Sequence, residues 1–332
     1  MGNKRLTVRE IARIAEVSVA TVSRVSRGTG QVSPEMRERV LRVIDEYGYR
    51  PSQMGRALAQ QKHGSVAIVF PGLAGPYFSE LVQGFEAEAV AAGIGVHILV
   101  THHRADSDGN VLDMASRVDG VAVHGDTVST ETMRRIAAEV PTVVLAGRPL
   151  DGVPAVRADN SAIGELTRHL LVDHGYRGLA FVGNPDGSPD VTERWEAFKA
   201  AHKAARVAVP RSPIRLGLQQ SDGVLAAGEL LDGRKPPRAV VCANDETALG
   251  MLIGALGRGL SVPGEVAITG FDDVPMASLV QPRLTTVRQP IRELGATTAR
   301  LLISGLGNPG AVMDAVLTTE PVLRESCGCP RT

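Results

Sequence analysis

The sequence is poor in three things that would assign it early. It has 3 cysteines in 332 residues, too few for a disulfide framework, and no histidine cluster beside them completes a zinc site. No apolar run nears the roughly 18 residues of a membrane helix, and stretches such as Val66–Val69 and Val143–Leu145 are strand-sized. Residues 1–6 (MGNKRL) lack the apolar segment of a secretory signal, so a cytoplasmic protein with no membrane partner is expected. Net charge is also absent, at 36 basic against 36 acidic side chains, which taken whole argues against a nucleic-acid partner. What is present is ordinary for a globular chain: 43% hydrophobic and 22% charged residues, over a length that suits about two domains.

The zero is an average. The first 63 residues carry 12 basic and 6 acidic side chains, a net +6, and the remainder is −6. Such asymmetry is a pointer to nucleic-acid binding, although a solvated basic surface gives the same count.

Residues 7–47 read as three short helices. Thr7 and Glu10 fit a capping box, and Ile11, Ile14 and Ala15 form an apolar stripe behind it. Ser18 is a good N-cap for a second helix ended by Gly28-Thr29-Gly30. Ser33 and Pro34 start a third that carries Met36, Val40 and Ile44 inward. Two short helices, a tight turn and a third helix across them make a helix-turn-helix. The second helix offers the short hydroxyls of Thr21 and Ser23 for phosphates and Arg24 for a guanine edge. Val19 and Ala20 suit thymine methyl groups. A stable mini-bundle with ordinary polar surface groups has the same spacing.

From Ser65 onward, strand-like runs alternate with helical patterns: Ser65–Pro71, Val96–Thr101, Gly120–His124, Thr142–Ala146, Leu179–Gly183, Ala239–Ala243 and Val266–Phe271. This implies an α/β body, and over some 260 residues two parallel-sheet subdomains fit better than one, with a ligand crevice beyond the strand ends. No nucleophile, base and orienting residue stand together, so no enzyme is expected and no cofactor. Gly305-Leu306-Gly307-Asn308-Pro309-Gly310 has the letters of a dinucleotide loop but follows a helical stretch and reads as a turn. His102-His103 with Asp106 and Asp108 reads as a solvated loop, and Cys327-Gly328-Cys329 as a tail without companion metal ligands.

The run from Leu6 to Ala12, with Val17–Val25, Val32–Val40 and Tyr47–Pro51, resembles the headpiece of the LacI/GalR family of bacterial transcription regulators. The resemblance implies a DNA-reading head at 1–50, a hinge helix at 51–63 and a body at 64–332 like a type I periplasmic binding protein. Within the body, one subdomain would span about 64–159 and 289–318, the other about 160–288 and 319–332. Candidate crossings between them are Asp159-Asn160, the stretch near Arg288-Gln289 and Thr318–Pro321. On double-stranded operator DNA, Val19, Ala20 and Arg24 would read bases. Thr7, Ser18, Thr21, Ser23 and Ser33 would touch backbone, with Arg27 and Gln31 beside them. Residues 52–61 (SQMGRALAQQ) would fold on DNA, with Leu58 as minor-groove wedge and Arg56 alongside. Two departures stand out. Glu16 occupies the tight turn where the family has Gly, and Ser26-Arg27-Gly28 replaces Leu-Asn-Gly.

For the body, the resemblance implies a cleft for a small, carbohydrate-like effector. Tyr77 and Phe78 would supply the aromatic face, and Arg148, Arg194, Asn244, Asp272 and Gln289 the donors and acceptors for hydroxyls. His124 lies where some members touch sugar with Asn, and Leu218 where several present an aromatic. Gly147 and Gly75 replace polar residues. Asn244 and Asp272 each precede a helical stretch and equally fit capping roles. The expected whole is a homodimeric, effector-controlled repressor on a near-palindrome. A solute-binding protein with no DNA role, or an α/β enzyme on a similar sheet, are the competing readings.

Overall fold

The computed structural model describes residues 6–28, 30–49, 63–102, 104–125, 127–307 and 313–330. The chain divides into two units, Met1–Gly64 and Ser65–Thr332.

The first unit is the three-helix head: α1 (Val8–Ile14), α2 (Val19–Arg27) and α3 (Pro34–Glu46). Each helix begins on a hydroxyl. Thr7 accepts from the Glu10 amide while Glu10 reaches back to Thr7, Ser18 accepts from Thr21, and Ser33 accepts from Met36 with Pro34 next in line. Each such cap contributes about 1 kcal/mol by satisfying an amide the helix cannot. Gly28, at φ +65°, closes α2 in the left-handed conformation. The small core is Ile11, Ala12, Ala15, Val22, Val25, Val40 and Val43. The inward face of α3 therefore differs from expectation: Met36 is 39% exposed and Val43 is buried in its stead. By angle Met36 shares the face of Val40 and Val43 (i, i+4, i+7), so its exposure follows from its place in the first turn of α3 rather than from its face.

The second unit holds two parallel sheets. The first has six strands in the order β10 (Ala315–Leu317), β5 (Ala155–Ala158), β4 (Thr142–Leu145), β3 (Val121–His124), β1 (Ser65–Phe70) and β2 (Gly95–Val100). β1 is buried along its whole length, as a strand covered on both faces must be, whereas β2 lies at the edge, with half its residues exposed and none buried. The second sheet is β6 (Leu179–Val182), β7 (Ala239–Cys242) and β8 (Ala267–Thr269). β9 (Thr286–Arg288) pairs antiparallel with β11 (Glu320–Val322).

The chain passes between the sheets three times. After β5 it enters the helix Ala162–Arg168, whose apolar residues pack with the second sheet. After β9 it enters the helix Ile291–Gly307, packed with the first. Between β10 and β11 it returns. The Thr319 hydroxyl donates to the Asp159 carbonyl at 2.7 Å, and the Asp159 amide donates to the Leu317 carbonyl, tying two passages together.

One expectation fails at the chain's end. Cys327 is fully buried in the core of the second sheet, and Cys329 lies beside His169 and His174. The companions sit more than 150 residues away in sequence, where local spacing does not reveal them. Asp106 is exposed near the end of its loop. Asp108 accepts from the Ser129 and Thr132 hydroxyls, a structural role rather than a metal-binding one.

Glu16 does adopt the left-handed backbone, at φ +51°. A non-glycine residue there costs about 1 kcal/mol. Glu16→Gly is expected to stabilise the head by up to about 1 kcal/mol. Slower amide hydrogen exchange across α1 and α2 would show it, and unchanged or faster exchange would contradict it.

Candidate nucleic-acid interface and effector cleft

α2 is amphipathic by construction. Val22 and Val25 are buried, while Ser18, Val19, Ala20 and Arg24 are exposed, Val19 at 43%. Thr21 and Ser23 lie half-buried at the edge of that face, and Gln31 is exposed just beyond. The Ser18 and Thr21 hydroxyls are 2.9 Å apart. The Arg24 stem passes Gly30 so closely that a Cβ there would sit 3.3 Å from Arg24 Cδ. Thr7 is exposed and Ser33 half-buried. Three of the five hydroxyls expected on DNA backbone, Thr7, Ser18 and Ser33, are thus the three N-caps. Helix N-termini are where free amides and the helix dipole favour a phosphate. Arg27 ends α2, but its side chain lies outside the described residues, as do Arg56 and Leu58.

In the body, the ends of the first sheet supply an aromatic wall. Tyr77 and Phe78 open the helix Pro76–Ala91, and His124 ends β3. His124 packs against Phe70, Phe78 and Tyr77 at centroid distances of 5.6–6.0 Å, and the Tyr77 hydroxyl is 3.4 Å from its Nε2. Burial holds the His124 pKa down, to about 4, and raises that of Tyr77. A neutral imidazole and a protonated phenol result.

The second sheet supplies the charges. Arg194, in the helix Pro189–Ala204, is 5% exposed. Its Nε donates to Asn160 Oδ1 at 2.8 Å, its Nη1 donates to the Ala243 carbonyl at 2.7 Å, and the guanidinium lies 3.7 Å from the Phe271 ring centroid. Nη2 has no hydrogen-bond partner among the described residues. Asp190, one turn earlier on the same helix, accepts from Asn160 Nδ2 at 3.0 Å. Asp272 is buried and accepts from Gln289 Nε2. Burial pushes the pKa of Asp190 and of Asp272 above the usual carboxylate range, against the pull of Arg194. The charges of Asp190, Asp272 and Arg194 all act on Tyr77, so the two walls meet at one place. The Asp272 carboxyl, pushed up to about 8, can donate as well as accept, which suits vicinal hydroxyls.

The remaining candidates divide. Arg148 is exposed in the loop after β4. Before it, Gly147 has no room for a side chain, since a Cβ would meet Val144 Cγ1 at 2.7 Å, which explains the missing polar residue. Asn244 is an N-cap: its Oδ1 accepts from the Thr247 amide and its Nδ2 donates to the Leu218 carbonyl. Leu218 packs against the core of the second sheet. Asp245 is wholly buried, accepting from the Thr286 hydroxyl and the Val274 amide. A cavity of about 480 Å³ opens along the crossovers beside Asp272 and Gln289; the aromatic wall and Arg194 do not line it. Sequence reading missed Asp190, although its spacing of four from Arg194 on one helix was a usable signal.

Because the folded His124 has a depressed pKa, the neutral ring's contribution to stability is complete above about pH 6.5 and is lost as pH falls toward 4. His124→Phe is expected to reduce the fall in melting temperature across that window. Equal slopes in calorimetric melts of the two proteins would contradict the assignment.

Residues 7–52 match the family model for bacterial regulatory proteins, lacI family, and residues 168–327 that for a periplasmic binding protein-like domain. The chain is 32% identical over 303 residues to catabolite control protein A of Priestia megaterium, covering 90% of this chain and 91% of that protein. It is 31% identical over 326 residues to the ribose operon repressor of Escherichia coli K12, covering 96% and 98%. Among solved structures, it resembles the lac repressor dimer bound to operator and an anti-inducer, with a TM-score of 0.87 at 23% identity over 98% of this chain and 99% of that one. It also resembles an Enterococcus faecium lacI-family regulator with bound ribose, with a TM-score of 0.72 at 27% identity, covering 79% and 98%. Among the described residues no helix is long and apolar enough to cross a membrane. The chain belongs to the lacI family of bacterial regulatory proteins, and is a DNA-binding transcription regulator rather than an enzyme.

Proposed function

We propose that this regulator binds a near-palindromic operator as a homodimer in the cytoplasm, and that a carbohydrate-like effector in the body cleft sets its affinity. The observation that carries the DNA half is α2, which exposes Val19, Ala20 and Arg24 on a head that, with the hinge (residues 1–63), has net charge +6. In this reading residues 1–50 read the DNA. Arg24, Val19 and Ala20 meet base edges, and Thr7, Ser18, Thr21, Ser23, Arg27, Gln31 and Ser33 meet the backbone. Residues 51–63 link head to body, with Arg56 and Leu58 at the minor groove. Residues 64–332 bind effector and pair the protomers.

The effector half rests on Arg194. Its Nη2 has no protein partner among the described residues and is not sealed from solvent, so it is free to take a ligand hydroxyl. Tyr77, Phe78 and His124 offer the apolar face. Arg194, Asp190, Asp272 and Gln289 offer the polar groups, and Arg148 sits at the rim. The ribose-bound structure among the relatives makes pentoses the first class to try. For pairing, Leu225, Ile253 and Leu279 expose 63%, 54% and 73% of their surface, apolar area that a second protomer would cover.

Selection of the full chain against a pool of randomised duplexes is expected to enrich a two-fold symmetric consensus. Arg24→Ala should weaken binding to the selected duplex about 10-fold or more, and leave unchanged the thermal shift produced by a panel of pentoses, hexoses and nucleosides. No enrichment, or full affinity in the variant, would overturn the reading.

A further inference from the structure

Away from the cleft, four metal-ligating side chains converge at the end of the helix that begins at Ala162. His169, His174, Cys327 and Cys329 each offer one donor atom, and all four atoms lie within 4.8 Å of one another. Cys329 Sγ is 3.3 Å from His169 Nε2 and 3.6 Å from His174 Nε2, and Cys327 Sγ is 4.0 Å from His169 Nε2. In a tetrahedral site with Zn–S of about 2.3 Å and Zn–N of about 2.1 Å, sulfur-to-nitrogen edges are about 3.6 Å. The observed separations bracket that value.

The backbone is shaped for this convergence on both sides. In a regular α-helix, residues five apart point about 140° away from each other. Here the segment His169–Asp173 is a π-turn, closed by the His174 amide donating to the His169 carbonyl at 3.2 Å. The wider turn brings positions five apart onto one face, and the two imidazoles stand edge to face with centroids 4.6 Å apart. On the other side, Gly328 takes φ +106° between the two cysteines. A Cβ there would lie 2.8 Å from the Tyr176 hydroxyl and 3.3 Å from His174 Cε1.

The surroundings orient the donors. His169 Nδ1 is 2.8 Å from Asp173 Oδ2, the carboxylate–histidine arrangement that leaves Nε2 as the metal-facing nitrogen. His174 stacks on Tyr176 with centroids 5.0 Å apart, and the Tyr176 hydroxyl donates to the Cys327 carbonyl at 3.0 Å. Without metal, the Cys327 thiol has a partner of its own in the Arg324 carbonyl at 3.2 Å.

We propose that His169, His174, Cys327 and Cys329 form a four-coordinate site for Zn²⁺ or another divalent ion that favours thiolate and imidazole. Four protein donors close the tetrahedron and leave no position for substrate, so the site is structural. It clasps residues 327–329 onto the helix end at 169–174, two segments that belong to the same subdomain and are joined by no covalent link nearby.

Full-length protein, purified without chelator, is expected to carry about one zinc per chain by elemental analysis. After metal is stripped under reducing conditions, one equivalent of Co²⁺ should give the intense visible bands of a tetrahedral site and a thiolate-to-cobalt charge-transfer band, with a higher melting temperature. Asp173→Ala keeps all four donors and an exposed position, and should weaken Co²⁺ binding about 10-fold or more. Cys329→Ser should abolish the charge-transfer spectrum characteristic of two thiolates. The proposal is overturned if wild-type protein gives no tetrahedral cobalt spectrum at one equivalent. It is equally overturned if protein as purified, denatured without reductant or metal removal, titrates for one free thiol instead of three, which would reveal a Cys327–Cys329 disulfide.

Discussion

A guanidinium buried at the meeting of two lobes must be paired on almost every side, and Arg194 organises the body through that requirement. Removing an ion from water costs several kcal/mol, which only good geometry and close partners offset. Arg194 finds them in the crossover residue Asn160, the carbonyl at the end of β7 and the face of Phe271. Asn160 in turn holds Asp190 and Glu193, so the first crossover, the helix Pro189–Ala204 and the sheet end form one polar unit. The neighbouring carboxyls of Asp190, half-buried, and Asp272, buried, are shifted toward their neutral forms. Under the proposed function, a polar ligand would engage Nη2 and these carboxyls.

The head solves a different problem with other means. It is too small for a large core, so caps and a handful of valines and isoleucines hold it, and its charge faces outward. A net +6 over residues 1–63 and −6 over the remainder separate the attraction to phosphate from the pocket that must hold buried charges of both signs. Under the proposed function, effector and DNA would be coupled by a free energy typically of about 1–3 kcal/mol.

Much of this was legible because the signals were local. Caps at Thr7, Ser18 and Ser33 and the stop at Gly28 lie within a turn of the helices they bound, and long buried strands such as β1 announce themselves by composition. The short strands β5, β9, β10 and β11, of 3 or 4 residues each, carry no pattern of their own and exist because partners across the sheet or crossover pair with them. Asn244 shows the limit differently: cap and ligand contact make the same demand on a residue before a helix, and only the Thr247 and Leu218 bonds distinguish them. The donors around Cys327-Gly328-Cys329 were invisible for two reasons. They come from a distant segment, and a π-turn places residues on one face that helical counting sets apart.

The central claim is that sequence-dependent DNA binding resides in the charged head. It is tested most directly by measuring the affinity of the full chain for a selected duplex and for a scrambled duplex of equal length across a salt series. The account predicts a log–log slope against salt of about −0.9 per phosphate contacted for the selected duplex, and a preference over the scrambled one that persists at every salt concentration. A flat salt dependence, or equal affinity for the two duplexes, would contradict it.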